Sequence, residues 1–233
     1  MAASLAENSK KILLIDLDPQ GNATTGCGID KPTLEKSSYD LLVGEASAKE
    51  VIVKRDDFSF DVIPTNADLT AAEIELLDEE QREQRLRLAL EPIRADYDYI
   101  LIDCPPSLSM LTLNALVASK GVIIPIQCEY YALEGLSSLL KTVERIKQRA
   151  NSALEITGLI RTMFDARNNL ANQVSRQLIN HFEKKVFHTI VPRNVRLAEA
   201  PSHGIPVVSY DRSSRGSIAY MALAGEFMRR EKS

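Results

Sequence analysis

The sequence predicts an α/β fold, a doubly wound and mainly parallel sheet with helices on both faces. Three observations predict it. Lys11-Ile-Leu-Leu-Ile-Asp16 is apolar at every interior position rather than at alternate ones, the pattern of a strand covered on both faces. Short apolar runs of this kind alternate with helix-period stretches along the chain. The 233 residues, 45% of them hydrophobic, carry neither a repeat nor a low-complexity linker, so a single domain over 1–233 is the economical count.

Taken in order, residues 1–8 read as the closing turns of a helix stopped at Asn8-Ser9. The first strand follows and Pro19 closes it. Residues 19–30, rich in Gly and Thr, read as a loop, with a short helix after them at about 39–43. Residues 58–63 are a second strand, stopped by Pro64. Residues 68–94 read as helical with a break near Glu79, and Leu86, Leu90 and Ile93 are spaced for one buried face. Residues 99–103 form a third strand, ended by Pro105-Pro106, and Ser107 or Ser109 can cap the helix that runs to Lys120. Strands at 122–126, 154–163 and 186–191 alternate with helices at about 131–150 and 168–182. A short helix near 195–200, an extended piece at 206–210 and a helix at 214–230 complete the chain.

Composition narrows the function. No run approaches a membrane span and the N-terminus lacks a signal peptide's basic and apolar regions, so the cytoplasm is the default compartment. Cys27, Cys104 and Cys128 are odd in number and far apart, which indicates neither a disulfide framework nor a CxxC site. His181, His188 and His203 have no metal-ligand spacing; buried cysteines and surface histidines are expected. The formal charge of −4 conceals an asymmetry. Residues 1–140 hold 12 Lys and Arg against 24 Asp and Glu, whereas 141–196 hold 11 against 4. An acidic body with one basic segment suits an anionic partner met by one face, and solvated helix faces give the same count.

Two strands end on carboxylates. Asp16 and Asp18 lie two apart and in an extended strand point the same way. Like charges on one side of a buried strand are costly unless a cation or hydrogen bonds offset them, or unless both have reached solvent at the strand end. Asp98-Tyr-Ile-Leu-Ile-Asp103 has the form of a Walker B strand, whose Asp holds Mg²⁺, usually through water.

With these motifs in place the chain resembles the ParA/Soj type of chromosome and plasmid partition ATPases, relatives of MinD with a deviant P-loop. The resemblance covers essentially the whole chain and rests on Asp16-Leu-Asp-Pro-Gln-Gly-Asn22, Asp103-Cys-Pro-Pro-Ser107, Glu129-Tyr-Tyr-Ala-Leu-Glu-Gly135 and Pro192-Arg-Asn-Val-Arg-Leu-Ala-Glu-Ala-Pro-Ser202. It implies a P-loop NTPase-like fold, ATP and Mg²⁺ as cofactors, an ATP-bound homodimer, non-specific double-stranded DNA and a ParB/Spo0J-type centromere-binding protein as partners, and a cytoplasmic, nucleoid-associated protein with no membrane partner. It implies that Asp18 positions or activates the attacking water, that Asp16 supports the magnesium shell and that Asp103 is the Walker B carboxylate. Pro192, Arg193 and Asn194 match the turn that borders adenine, for which a plain strand-to-helix connection is the other reading. Arg167 and Arg196 match positions that contact DNA phosphates, and both lie in the basic segment.

One departure stands out. The family begins with a strand and a Gly-rich deviant Walker A loop containing two lysines, and no Gly-Lys-Thr or Gly-Lys-Ser occurs in the 233 residues. The chain opens inside the helix that should follow that loop, as a late gene start or a fragment would. The expectation is a chain that does not hold ATP by itself, with the neighbours of a central first strand left unpaired. Two further readings are a non-enzymatic remnant that binds DNA or a partner, and a MinD-like membrane-cycling ATPase anchored through Ile218, Met221, Ala222 and Met228 ahead of Arg229-Arg230. The nitrogenase iron protein is a more distant relative, whose Gly-rich cluster-binding pattern Cys104 and Cys128 do not match.

Overall fold

The structure is a computed structural model and describes residues 1–231. Its residues gather into two compact units, one of residues 2–118 with 199–206, the other chiefly of 119–198 with 207–231.

The first unit opens with α1 (Ala2–Ala6), whose Leu5 is fully buried beside β1 (Ile12–Asp16). Asn8 stops the helix by donating its side-chain amide to the Ser4 carbonyl at 2.7 Å. The stretch expected to be a loop contains a helical turn, α2 (Asn22–Gly26), entered through Gly21 at φ 64°. Thr24 is buried there, and its bonds to the strand end give a short polar segment the fixed start that its own propensity lacks. After α3 (Ser38–Val43) and α4 (Ala48–Val51), each begun by a Ser-based capping box, comes β2 (Asp61–Ile63), shorter than the sequence suggested. Next are α5 (Leu69–Glu75) and α6 (Arg85–Leu90), separated by 3₁₀ turns and an extended Glu79, which is the predicted break. Leu86, Leu90 and Ile93 are buried as their spacing required. β3 (Tyr99–Asp103) and α7 (Met110–Ala118) follow, the latter capped by Ser109, which accepts from the Leu111 N–H at 3.2 Å.

The second unit holds β4 (Gly121–Gln127), α8 (Ala132–Arg149), β5 (Glu155–Phe164), α9 (Asn169–Phe182) and β6 (Val186–Pro192). It continues with α10 (Val195–Glu199), which runs to the edge of the unit, α11 (Val207–Tyr210) and α12 (Arg215–Arg230). Residues 207–210 are helical and not extended as expected; Asp211 N–H donates to the Val207 carbonyl at 2.9 Å, so a flanking proline at 206 starts a turn instead of an edge. On α12, Leu223 and Phe227 are buried beside β6 while Ile218 is 58% exposed.

All sheet pairing within these strands is parallel, in orders β2-β1-β3 and β4-β5-β6, and helices flank both sheets. β1 is central and buried at every position but Leu14, as its unbroken apolar run predicts. β3 is as apolar, yet it pairs only with β1 among the described residues and its residues are half-buried to exposed. β4 likewise pairs only with β5, and Pro125 within it lacks an N–H, which an edge tolerates.

Candidate functional site

The register of β1 and β3 builds the site. Asp16 and Asp103 are direct partners across the two parallel strands, and Leu17 N–H donates to the Asp103 carbonyl at 2.8 Å. Two apolar strands thus deliver two carboxylates side by side at their carboxyl ends, where ligands collect in open α/β sheets. Asp18 stands two residues on and is half-buried.

Asp16 is fully buried and its oxygens are taken up locally. Oδ2 accepts from both the N–H and the hydroxyl of Thr24 at 2.7 Å, and Oδ1 accepts from Asp18 N–H at 3.1 Å. Thr24 Oγ1 in turn accepts from Thr65 N–H at 2.9 Å. Asp16 therefore organises the turn that carries Asp18. Burial raises its pKa against the lowering effect of these bonds. Asp103 keeps an exposed surface, but desolvation, followed by the charges of Asp16 and then Asp18, pushes its carboxyl up to about 6. Ionising Asp103 beside these two carboxylates is costly, and a cation offsets that cost.

These groups fit a hydrated divalent ion better than a stripped one. Among the described residues no three His, Cys, Asp or Glu side chains converge closely enough to ligate a metal directly. Mg²⁺ keeps several waters, so carboxylates one water away suit it. Cys27 and Cys128 are buried as expected, whereas Cys104 is half-buried; burial pushes the Cys27 and Cys104 thiols up to about 12. The three histidines are exposed.

In the second unit the ends of β5 and β6 lie together, with Phe164 paired to Pro192 and Arg193 N–H donating to the Phe164 carbonyl at 3.3 Å. Pro192 and Asn194 are half-buried and Arg193 is exposed. Asn194 Oδ1 is buried with no hydrogen-bond partner among the described residues, close to Gly216 at the start of α12. Arg167, 91% exposed, and Arg196, 45% exposed, lie just beyond the same two strands.

Sequence reasoning found Asp16, Asp18 and Asp103 together because each ends an apolar run, and the structure brings those three together. It missed Thr24 and Thr65, which hold Asp16. Thr24 is visible only as a threonine in a Gly-rich stretch, and Thr65 is 41 residues further on, so no local spacing connects them.

Comparison with known proteins agrees with this arrangement. The model of a family described as an AAA domain matches residues 1–156. The sporulation initiation inhibitor protein Soj of Bacillus subtilis is 52% identical over 97% of this chain and 89% of its own length. The chromosome partitioning protein ParA of Myxococcus xanthus is 49% identical over 99% of this chain and 82% of its own. Cobyrinic acid a,c-diamide synthase from Mycobacterium smegmatis, solved with bound ADP and magnesium, superposes with a TM-score of 0.86 at 34% identity, covering 100% of this chain and 87% of that one. With a doubly wound α/β architecture, carboxylates at paired strand ends and relatives of this similarity along its whole length, the chain belongs to the ParA/Soj family of chromosome-partitioning ATPases.

Proposed function

We propose that this chain, acting as one domain and together with a Gly-rich phosphate-binding loop, binds ATP and Mg²⁺, dimerises, and holds double-stranded DNA without regard to sequence so as to move a chromosome or plasmid. The observation that carries the reading is the pairing of Asp16 with Asp103, with Asp18 just beyond. Bound magnesium would neutralise charge on the β- and γ-phosphates. Asp103 and Asp16 would hold the hydrated ion, and Asp18, whose Oδ1 accepts from the Gln20 N–H at 3.0 Å, would orient the attacking water. Pro192, Arg193 and Asn194 border the adenine. Arg167 and Arg196 meet DNA phosphates, a ParB/Spo0J-type protein stimulates turnover, and the protein works in the cytoplasm on the nucleoid; among the described residues no helix is long and apolar enough to cross a membrane.

The 233 residues include no Gly-Lys-Thr or Gly-Lys-Ser, so nothing in them supplies that loop's phosphate-binding lysine and hydroxyl. The test is titration of a fluorescent ATP analogue into the 233-residue chain and into the same chain extended by the strand and loop typical of the family. The short chain is expected to bind negligibly and the extended one tightly and only with magnesium. Tight, magnesium-dependent binding by the short chain contradicts the assignment of phosphate binding to the loop. No binding by the extended chain favours the non-enzymatic reading.

A further inference from the structure

The two arginines assigned to DNA already hold carboxylates. Arg167 donates from Nε to Asp165 Oδ1 at 3.0 Å and from Nη2 to Oδ2 at 2.8 Å, and its backbone N–H adds a third bond to Oδ1 at 3.0 Å. Arg196 Nε lies 3.4 Å from Asp211 Oδ2. In the first pair the guanidinium fork engages a planar carboxylate with the donors and the plane that a phosphate would use, and in the second a single guanidinium nitrogen faces the carboxylate. We propose that Asp165 and Asp211 are phosphate stand-ins, holding the two arginines in the free chain and giving way to the DNA backbone, so that they set how tightly this protein holds DNA. The proposal rests on the assignment of Arg167 and Arg196 to DNA.

Three features suit exchange. The pairs are open to solvent, with side-chain exposures of 91% and 40% for Arg167 and Asp165, and 45% and 29% for Arg196 and Asp211. Neither carboxylate is stranded when its arginine leaves. Asp211 Oδ1 still accepts from Ser213 N–H at 3.1 Å and Ser213 Oγ at 2.9 Å, and Asp165 keeps the Arg167 backbone N–H with the Arg193 charge close by. Exposed ion pairs also cost little to break, about a two- to five-fold factor each. The Arg167 hydrogen bonds hold the Asp165 carboxyl at about 2, so the pair stays charged throughout the physiological range.

The test measures affinity for a random-sequence duplex by fluorescence anisotropy at low salt, using the loop-extended chain with ATP and magnesium and its Asp165→Asn, Asp211→Asn, Arg167→Ala and Asp165→Asn/Arg167→Ala variants. Glu144→Gln is the charge-matched control, since Glu144 sits on α8 and accepts from Gln148 at 2.8 Å. Asp165→Asn and Asp211→Asn should each tighten binding about two- to five-fold. The control should change it by about 1.5-fold or less, because distant exposed charges are screened. In the Arg167→Ala background the gain from Asp165→Asn should vanish, since the competitor then has nothing to occupy. Equal tightening in the control, or a gain that survives Arg167→Ala, would show bulk charge at work and overturn the proposal. Unchanged affinity in both Asp variants with weakened binding by Arg167→Ala overturns it while leaving the DNA assignment standing. No effect of Arg167→Ala removes the assignment and the proposal together.

Discussion

At the scale of single residues, the site depends on a buried carboxylate whose charge is met by neutral donors. Among the described residues Thr24 supplies two of the three hydrogen bonds to Asp16 and the Asp18 N–H the third. Thr24→Val keeps the side chain's shape but removes one of the three bonds to Asp16 and strands the Thr65 N–H, at a cost of about 1–3 kcal/mol. Urea denaturation should show that loss, and Thr24→Ser should recover most of it. Equal stability of Val and Ser variants would mean that the hydroxyl is not what holds the turn. This part of the site was only half legible beforehand. The carboxylates announce themselves because two apolar runs in one chain both stop on Asp, a pattern weak singly and strong together, whereas their donors lie on α2 and just beyond β2. Glu226 was invisible for the same reason. It is buried on α12 and accepts from the N–H groups of His188 and Thr189, the Thr189 hydroxyl and Arg230, all brought in by β6 or the next helical turn. Desolvation raises its pKa, but those bonds outweigh it and the net shift is downward. The stability it contributes is therefore present above the usual carboxylate range and is lost as pH falls through the lowered value.

At the scale of elements, periodicity located strands and helices well wherever burial alone decides the matter. β1, β3 and the face of Leu86, Leu90 and Ile93 are cases. It failed where a tertiary bond decides, as at α2, and where a proline at 206 reads equally as edge or helix start. Composition also hid a contact between two loops. Gly28 and Gly204 both have φ 64° and cross so closely that a Cβ on Gly204 would lie 2.5 Å from the Gly28 Cα. A Cβ on Gly28 would meet the Gly204 carbonyl oxygen at 2.7 Å. Backbone cannot yield as a flexible side chain can, and positive φ adds strain of its own. Gly204→Ala should cost about 2–4 kcal/mol. Thermal and urea denaturation will check this; a loss below about 0.5 kcal/mol, the size of an ordinary surface change, would mean the crossing is loose.

For the whole molecule, the charge asymmetry maps onto the two units. The acidic residues 1–140 include the strand ends of the carboxylate site, and the basic residues 141–196 include both arginines assigned to DNA. The count alone overstated the basic surface, because Arg161 is buried and donates to Ser175 and to the carbonyls of Phe187 and His188. The unpaired edges of β3 and β4 are the other large-scale feature that an unbroken apolar run could not reveal, since a buried central strand and an apolar edge strand look alike in sequence. In the proposed function Asp16, Asp18 and Asp103 form the acidic half of an ATP and magnesium site, with Asp18 acting on the attacking water. The decisive measurement is ATP turnover by the loop-extended chain beside its Asp18→Ala variant, with nucleotide binding followed in both. The parent should hydrolyse ATP only with magnesium, and Asp18→Ala should lose nearly all turnover while still binding nucleotide. Turnover at the parent rate in Asp18→Ala would place the water-orienting role on another residue.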